Sequence, residues 1–441
     1  MDRRDFMKIG AGGLAFAAGS RIGISASDKV QVGVIGYGRQ GSWNTRDFMK
    51  QPEVSIAAVC DVYQPHLDKA LADAKEKGHT PDVYKDFRRI LDRKDIDAVI
   101  ISTPDHWHAY QTVAACDSGK DVYVEKPIAT SIVEGRKMVD AARRNNRMVQ
   151  VGTQQRSADH FQKVVELVRS GAIGKISEVR TWNVGNQYPQ GIGNPPDADP
   201  PADLDWEMWL GPAPRHQFNA NRFGVSPKWF STFRWFWDYA GGMMCDWGVH
   251  WIDIVQWAMN VDGPARVSAV GGKFGLQDNR ETPDTLDVIY QYPDWVMMYS
   301  NRELNGRGPI ISETTGHKGG GITFHGTNGT LFVDRSGFEI IPERRRKSPD
   351  SQPEALMEGM VVKGVERHPE HVRNFLDCMK SRQRPISDIE TGHTSTTACH
   401  LGNIAYRTGH AIQWDPKSER IQGDGEAGRF LNREYRKPWK I

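Results

Sequence analysis

From residue 29 onward, short apolar runs alternate with stretches of helical spacing. Residues 30–35, 54–60, 96–102, 121–124 and 148–151 are apolar or β-branched runs of strand length. Between them, a segment ending near residue 50 and the segments 64–77, 108–118 and 132–145 read as helices. Strands alternating with helices predict parallel strands joined by crossovers, a doubly wound sheet.

After residue 152 the texture changes. A helix over 159–170 leads into a strand over 176–183. A Pro-, Trp- and Asp-rich stretch, 187–239, has little periodicity, and its aromatics predict an ordered loop over a site. A helix is expected over 243–259, then strands over 265–274, 285–292, 296–301, 321–325, 330–334 and 338–341. Strands clustered without intervening helices predict a largely antiparallel sheet. Residues 343–365 read as a polar surface excursion, and 371–380 and 394–408 as helices. The fold class is therefore α/β, with a parallel-sheet domain over 28–153 and an α/β domain over 154–441.

Composition excludes several classes. A net charge of +2 with dispersed basic residues indicates neither nucleic acid nor an anionic membrane surface as a partner. The five cysteines are scattered, with no CxxC spacing, so neither a disulfide framework nor a metal site is indicated. Arg3-Arg4-Asp5-Phe6-Met7-Lys8 resembles a twin-arginine export signal, followed by an apolar stretch too short to span a bilayer and by the small residues Ser25-Ala26-Ser27. Residues 1–27 are therefore expected to be a signal segment directing the folded chain to the periplasm, with no membrane insertion of the mature protein.

Three constellations carry chemistry. Gly36-Tyr37-Gly38-Arg39-Gln40-Gly41 follows a buried strand and opens a helix. Gly36 allows the tight turn, Gly38 lets the backbone approach a pyrophosphate, and Gly41 permits close helix–strand packing. Asp61, at the end of the second strand, is placed to accept hydrogen bonds from ribose hydroxyls, which favours NAD over NADP. Glu125-Lys126-Pro127 sits at the carboxyl end of a strand, where Lys126 can donate to a substrate oxygen; a solvated turn is the rival reading. Asp246 and His250 are four residues apart, a spacing that lets a carboxylate orient an imidazole acting as base; a satisfied core pair and a metal pair compete.

Other residues are candidates by position. Asp105, His106 and His108 lie just past Thr103-Pro104, near where a nicotinamide ribose would rest, or else cap the next helix. Gln154, Gln155 and Arg156 begin the second domain at the cleft, so Arg156 is a candidate substrate contact. Among the clustered tryptophans, Trp182, Trp206, Trp209, Trp229, Trp235, Trp237, Trp247 and Trp251, one or two are expected to form a sugar platform, with Trp237 the candidate. His393 and His400 read as structural.

The glycine turn, Thr103-Pro104 with His108, Glu125-Lys126-Pro127, and Asp246 with His250 together resemble the glucose–fructose oxidoreductase/inositol dehydrogenase (Gfo/Idh/MocA) family, over nearly the whole chain after the signal segment. The resemblance implies a Rossmann domain plus an α/β domain with an open, mostly antiparallel sheet, and a homo-oligomer, dimer or tetramer. It further implies NAD as cofactor and hydride transfer from a secondary hydroxyl of a sugar, glycoside or cyclitol. His250 would take the hydroxyl proton, Lys126 would polarise the oxygen, and Asp246 would orient His250 or the substrate. Some relatives are NAD-dependent glycosidases whose motif commonly lacks the lysine that this chain keeps, which favours the oxidoreductase. A non-catalytic sugar-binding protein ranks last, because no catalytic position is lost.

Overall fold

The computed structural model describes residues 29–224, 231–312 and 316–441. The expected signal segment and Trp229 lie outside the described residues.

The first domain runs β1 (Val30–Ile35), α1 (Arg39–Met49), β2 (Val54–Cys60), α2 (Gln64–Glu76), β3 (Asp82–Tyr84), α3 (Arg88–Leu91), β4 (Ala98–Ile101), α4 (Asp105–Asp117), β5 (Asp121–Val124), α5 (Ile132–Arg144) and β6 (Val149–Val151). Its six strands lie in the order β3-β2-β1-β4-β5-β6, all parallel, as the strand–helix alternation predicts. The short, half-polar β3 is an addition to the expected strands. Both faces of the sheet are covered, which is why its strands are nearly continuous apolar runs. Ile35, Val99, Ile101, Val122 and Val124 pack on one side, with Trp107 and Met138. Val32, Val34, Ile56, Ala98 and Ile100 pack on the other, with Phe48 and Leu67.

That second face is completed from far down the chain. Val372, Phe375 and Leu376 of the helix His368–Ser381 join it, so the split at residue 153 is not a packing boundary. The helix buries its apolar face on the first domain because one sheet face would otherwise stand open between α1 and β5.

The second domain opens with α6 (Asp159–Arg169) and β7 (Ile176–Val184), the latter inside a ten-stranded sheet. Every neighbouring pair in that sheet is antiparallel except β7 with Val296–Arg302, so it is largely antiparallel, as expected, with one parallel pair. Strand Thr285–Gln291 alternates buried and exposed positions, the pattern of a sheet with one covered face. The helices Gly248–Met259 and Ile389–Thr408 cover it, through Val255, Ile252, Leu401 and Ile404 among others. The polar stretch 343–365 is only partly a surface excursion: Met360–Lys363 extends the sheet beside Gly337–Pro342, and Arg344–Arg345 pairs with Glu354–Ala355. Among the described residues, no helix is long and apolar enough to cross a membrane.

Candidate active site

Parallel register brings the carboxyl ends of β1, β2, β4, β5 and β6 to one edge: Ile35 is beside Cys60 and Ile101, Ile101 beside Val124, and Val124 beside Val151. The ladder continues one residue further, with Gly36 N–H donating to Cys60 O and Glu125 N–H to Ile101 O. Gly36, Asp61, Thr103 and Glu125 are therefore neighbours because of register, not sequence. A cavity opens over this edge and is closed on its far side by residues of the second domain.

The glycine turn has the expected division of labour. Gly36 has φ of 88°, and a Cβ there would lie 2.8 Å from Thr103 N. A Cβ at Gly41 would lie 2.1 Å from Gly36 O, so α1 can approach the strand only with glycine there. At Gly38 a Cβ would meet only the His66 ring carbon, at 3.6 Å; the space beside it belongs to the cavity. Gly38 offers no side-chain cap, and the first intrahelical bond is Ser42 N–H to Gly38 O, so the N–H groups of Gln40 and Gly41 are left to an external acceptor. Asp61 accepts from Tyr37 N–H (2.7 Å) and Tyr63 N–H (3.0 Å), and His66 Nδ1 lies 3.1 Å away. These features fit a dinucleotide: backbone donors for its phosphates and a fixed carboxylate at the tip of β2 for a ribose. Tyr37 itself does not face the cavity; its ring is buried and its hydroxyl donates to Asp73.

Glu125 and Lys126 divide their tasks. The Glu125 carboxylate faces back into the first domain, accepting from Asn44 Nδ2 (2.9 Å) and Lys126 N–H (3.2 Å). Burial raises its pKa against the pull of Lys126. Lys126 faces the second domain, with Nζ 2.9 Å from both the Oδ1 and the main-chain oxygen of Asp246. The Lys126–Pro127 peptide bond is cis. His108 braces this loop to the neighbouring one: Nδ1 lies 2.7 Å from Pro127 O and Nε2 lies 2.8 Å from Thr103 O. Burial lowers its pKa to about 4. His108 thus positions Lys126.

The expected continuous helix over 243–259 is two helices, Gly242–Asp246 and Gly248–Met259, meeting at Trp247. This break separates Asp246 from His250, and the expected carboxylate–imidazole pair is not formed. Asp246 instead binds Lys126 and Arg234, whose Nε is 2.8 Å from the same Oδ1. Burial alone would raise the Asp246 carboxyl, but Arg234 and Lys126 outweigh it and hold it well below the usual carboxylate range. Among the described residues His250 Nδ1 is buried without a hydrogen-bond partner, and burial, Lys126 and Arg335 push the ring well below the usual histidine range.

Around this centre the cavity is lined by Gly36, Gly38, Arg39, Gln40, Asp61, Thr103, Pro104, His108, Glu125, Lys126, Asp246 and His250, as the motifs require, together with Asp105 and Gln154. Two candidates for substrate contact lie elsewhere. Arg156 is buried away from the cavity, with Nε 2.7 Å and Nη2 2.9 Å from the two Asp253 carboxylate oxygens. Trp237 turns its ring to the Arg407 guanidinium, whose carbon lies 4.9 Å from the ring centre. Trp209 and Trp247 line the cavity instead. The loop 187–239 does reach over the site, on a cluster of its own that includes Trp206, Trp209, Phe218, Phe223 and Tyr239. His106 is buried 3.0 Å from Trp209 O and anchors that loop. His393 and His400 are structural, the first beside Glu419 and the second 2.9 Å from Ala129 O; all five cysteines are free and buried. Arg234 and Asn44 escaped the sequence reading; the signal for Arg234 is a cation between Phe233 and Trp235, which needs a buried carboxylate.

A parallel-sheet domain with a dinucleotide turn, joined to a domain that brings an Asp and a His to its lysine, defines a two-domain NAD-binding oxidoreductase. Sequence comparison is in accord. Residues 30–153 match the oxidoreductase family, NAD-binding Rossmann fold, of Gfo/Idh/MocA, and residues 159–307 and 356–441 match that family's C-terminal alpha/beta domain. The chain belongs to the Gfo/Idh/MocA oxidoreductase family.

A glycosyl hydrolase family 109 protein of Shewanella sp. (strain W3-18-1) is 35% identical over 154 residues, 34% of each chain. The match thus spans about a third of that relative's length. Among solved structures, the WlbA dehydrogenase from Bordetella pertussis, in complex with NADH and UDP-GlcNAcA, has a TM-score of 0.62 at 19% identity, covering 88% of this chain and 99% of that one. The aldose-aldose oxidoreductase from Caulobacter crescentus, complexed with glycerol, has a TM-score of 0.62 at 17% identity, covering 87% and 99%. At these identities the structures show the shared fold.

Proposed function

We propose that the protein is an NAD-dependent oxidoreductase that removes hydride from a secondary hydroxyl of a sugar, glycoside or cyclitol. The observation that carries this reading is Lys126, held by Asp246 on a cavity shared by the glycine turn and His250. A bound nicotinamide supplies the hydride acceptor. An ammonium has three N–H groups. Two of those on Lys126 go to Asp246, and the remaining one is available to the reacting oxygen. Lys126 and His250 hydrogen-bond that oxygen as hydride leaves, while Trp209 and Trp247 supply apolar faces for a sugar ring. Asp61, set where a ribose diol would lie and where a 2′-phosphate would be repelled, supports NAD over NADP. Purified protein with added or retained NAD should develop the absorbance of reduced cofactor on exposure to some member of a sugar panel. Activity that survived both Lys126→Ala and His250→Ala would overturn the mechanism.

A second reading, an NAD-dependent glycosidase working through transient oxidation, is favoured by the likeness to family 109 glycosyl hydrolases. Cleavage of a glycoside without net NADH would decide for it.

Export through the twin-arginine route is part of the proposal and rests on Arg3 and Arg4. It implies that the cofactor is retained, because NAD lost outside the cytoplasm would not be replaced. Replacing both arginines by lysine should leave the protein in the cytoplasm; periplasmic recovery of that variant would refute the assignment. A homo-oligomer is likewise proposed, through the outer face of the large sheet, where Val270 and Ile289 are exposed. A monomeric mass in solution would reject it.

A further inference from the structure

The oxidation proposed above releases a proton, and the groups at the reacting oxygen are poorly suited to keep it. Lys126 is anchored as a donor. His250 would have to become a buried imidazolium beside Lys126 and Arg335. Its Nδ1 has no hydrogen-bond partner among the described residues. A buried N–H without an acceptor is costlier than a lone pair without a donor, which favours the tautomer carrying its hydrogen on Nε2. In that form His250 is a hydrogen-bond donor.

Asp105 offers the missing acceptor. It is the first residue of α4, directly after the β4 edge, and is only 6% exposed, yet it lines the cavity with Lys126, Asp246 and His250. Among the described residues no other residue hydrogen-bonds or ion-pairs with its carboxylate. Arg234 and Asp246 face it from the second domain, Lys126 from the loop after β5, and the buried His106 and His108 follow it on its own helix. Its place in the first turn of α4 and the bond to its own backbone N–H offset only part of the cost of burying a carboxylate that has no hydrogen-bonded or ion-paired side chain among the described residues.

We propose that Asp105 is a further catalytic residue, the group that accepts the hydroxyl proton during oxidation. The substrate O–H bond breaks and its proton goes to an Asp105 oxygen. The C–H electron pair leaves as hydride to bound NAD, and the carbon–oxygen bond becomes a carbonyl. The electrostatics agree: burial raises the Asp105 pKa to about 7, with Arg234 opposing and Asp246 assisting, so the group changes charge near neutrality.

The test uses wild-type holoenzyme, Asp105→Asn and Asp105→Glu. Wild-type kcat should rise with pH and level off above about 7, because the acceptor must be ionised. Asp105→Asn should lose about 100-fold in kcat, together with that limb, while retaining NAD; Asp105→Glu should recover part of both. A second readout needs no turnover. The folded state keeps a proton that the unfolded chain surrenders above about pH 4, so wild-type Tm should fall relative to Asp105→Asn between about pH 4 and pH 7 and level off above that. The proposal is overturned if the Tm difference is flat across that range. It is also overturned if Asp105→Asn keeps the neutral limb and His250→Gln loses it. If no sugar reduces NAD with any variant, the oxidation reading falls and takes this role with it; oxidation with an unaltered limb in Asp105→Asn removes only the role of Asp105.

Discussion

Lys126 Nζ lies 2.9 Å from Asp246 Oδ1, across 120 positions of sequence and across the boundary between two sheets. The side chains are 12% and 5% exposed, so the pair is formed out of water, where one charge without the other is expensive. Arg234 on the same carboxylate oxygen supplies a second cation. The lysine is thereby fixed in direction by the second domain and in position by the first, through His108 and the loop it braces.

Lys126→Ala should therefore be a kinetic lesion more than a folding one. Asp246 keeps Arg234 as a partner, so the carboxylate is not stranded. A fall in kcat of about 10²- to 10³-fold is expected, from loss of one donor to the reacting oxygen. NAD affinity, read by fluorescence titration, should be little changed, because the glycine turn and Asp61 are untouched.

The two glycines of the turn should separate binding from folding. In Gly38→Ala the new methyl meets little of the protein, since His66 is 3.6 Å away, but it projects where a pyrophosphate would sit. NAD affinity should drop at least tenfold with Tm nearly constant. In Gly41→Ala the methyl collides with Gly36 O at 2.1 Å, so both Tm and NAD affinity should fall. Equal behaviour of the two variants in both assays would contradict these roles.

Phe375→Ala tests the contribution of a distant segment to the cofactor domain. Phe375 is fully buried and packs edge-on against Phe48 and Tyr123, at 6.0 Å from each. Its loss should cost about 3–5 kcal/mol in denaturant unfolding. If stability is unchanged, the helix His368–Ser381 is not integral to that domain.

The parallel sheet and the glycine turn were legible because their signals are local: a strand-length apolar run, then glycines whose spacing follows from backbone geometry. Lys126 was legible beside Pro127 at the end of a strand, and His250 by its spacing from Asp246. What stayed hidden was set by long-range packing. The spacing of Asp246 and His250 suggested a shared helix face, but the break at Trp247 decided otherwise, and Arg234 took the place expected of His250. Arg234 lies in a stretch without periodicity, whose path is fixed by its own aromatic cluster. The helix His368–Ser381 is amphipathic in sequence, yet nothing local says which sheet it covers. Met360–Lys363 is a short apolar run inside a polar stretch, and it stays largely exposed because it is an edge strand, where one side needs no cover.

Arg156 shows how a charged residue at a domain entrance can be misplaced by position alone. Its side chain is 5% exposed, and the guanidinium faces the 1% exposed Asp253 through two short hydrogen bonds and lies 4.8 Å from the centre of the Trp257 ring. Ser395 Oγ donates to the same carboxylate at 2.7 Å, so the pair ties the turn Gln154–Ser157 to the helices Gly248–Met259 and Ile389–Thr408. With Arg156→Ala, Ser395 remains as a neutral donor to a buried charge. The expected cost is about 3–5 kcal/mol, the penalty of a stranded buried ion. Replacing Arg156 and Asp253 together by methionine and leucine should recover most of that loss, because no charge is then left unpaired. Urea unfolding of the single and double variants measures both numbers. The folded fraction of each should keep wild-type KM for the sugar; a KM raised tenfold or more in the stable double variant would restore Arg156 to the substrate site.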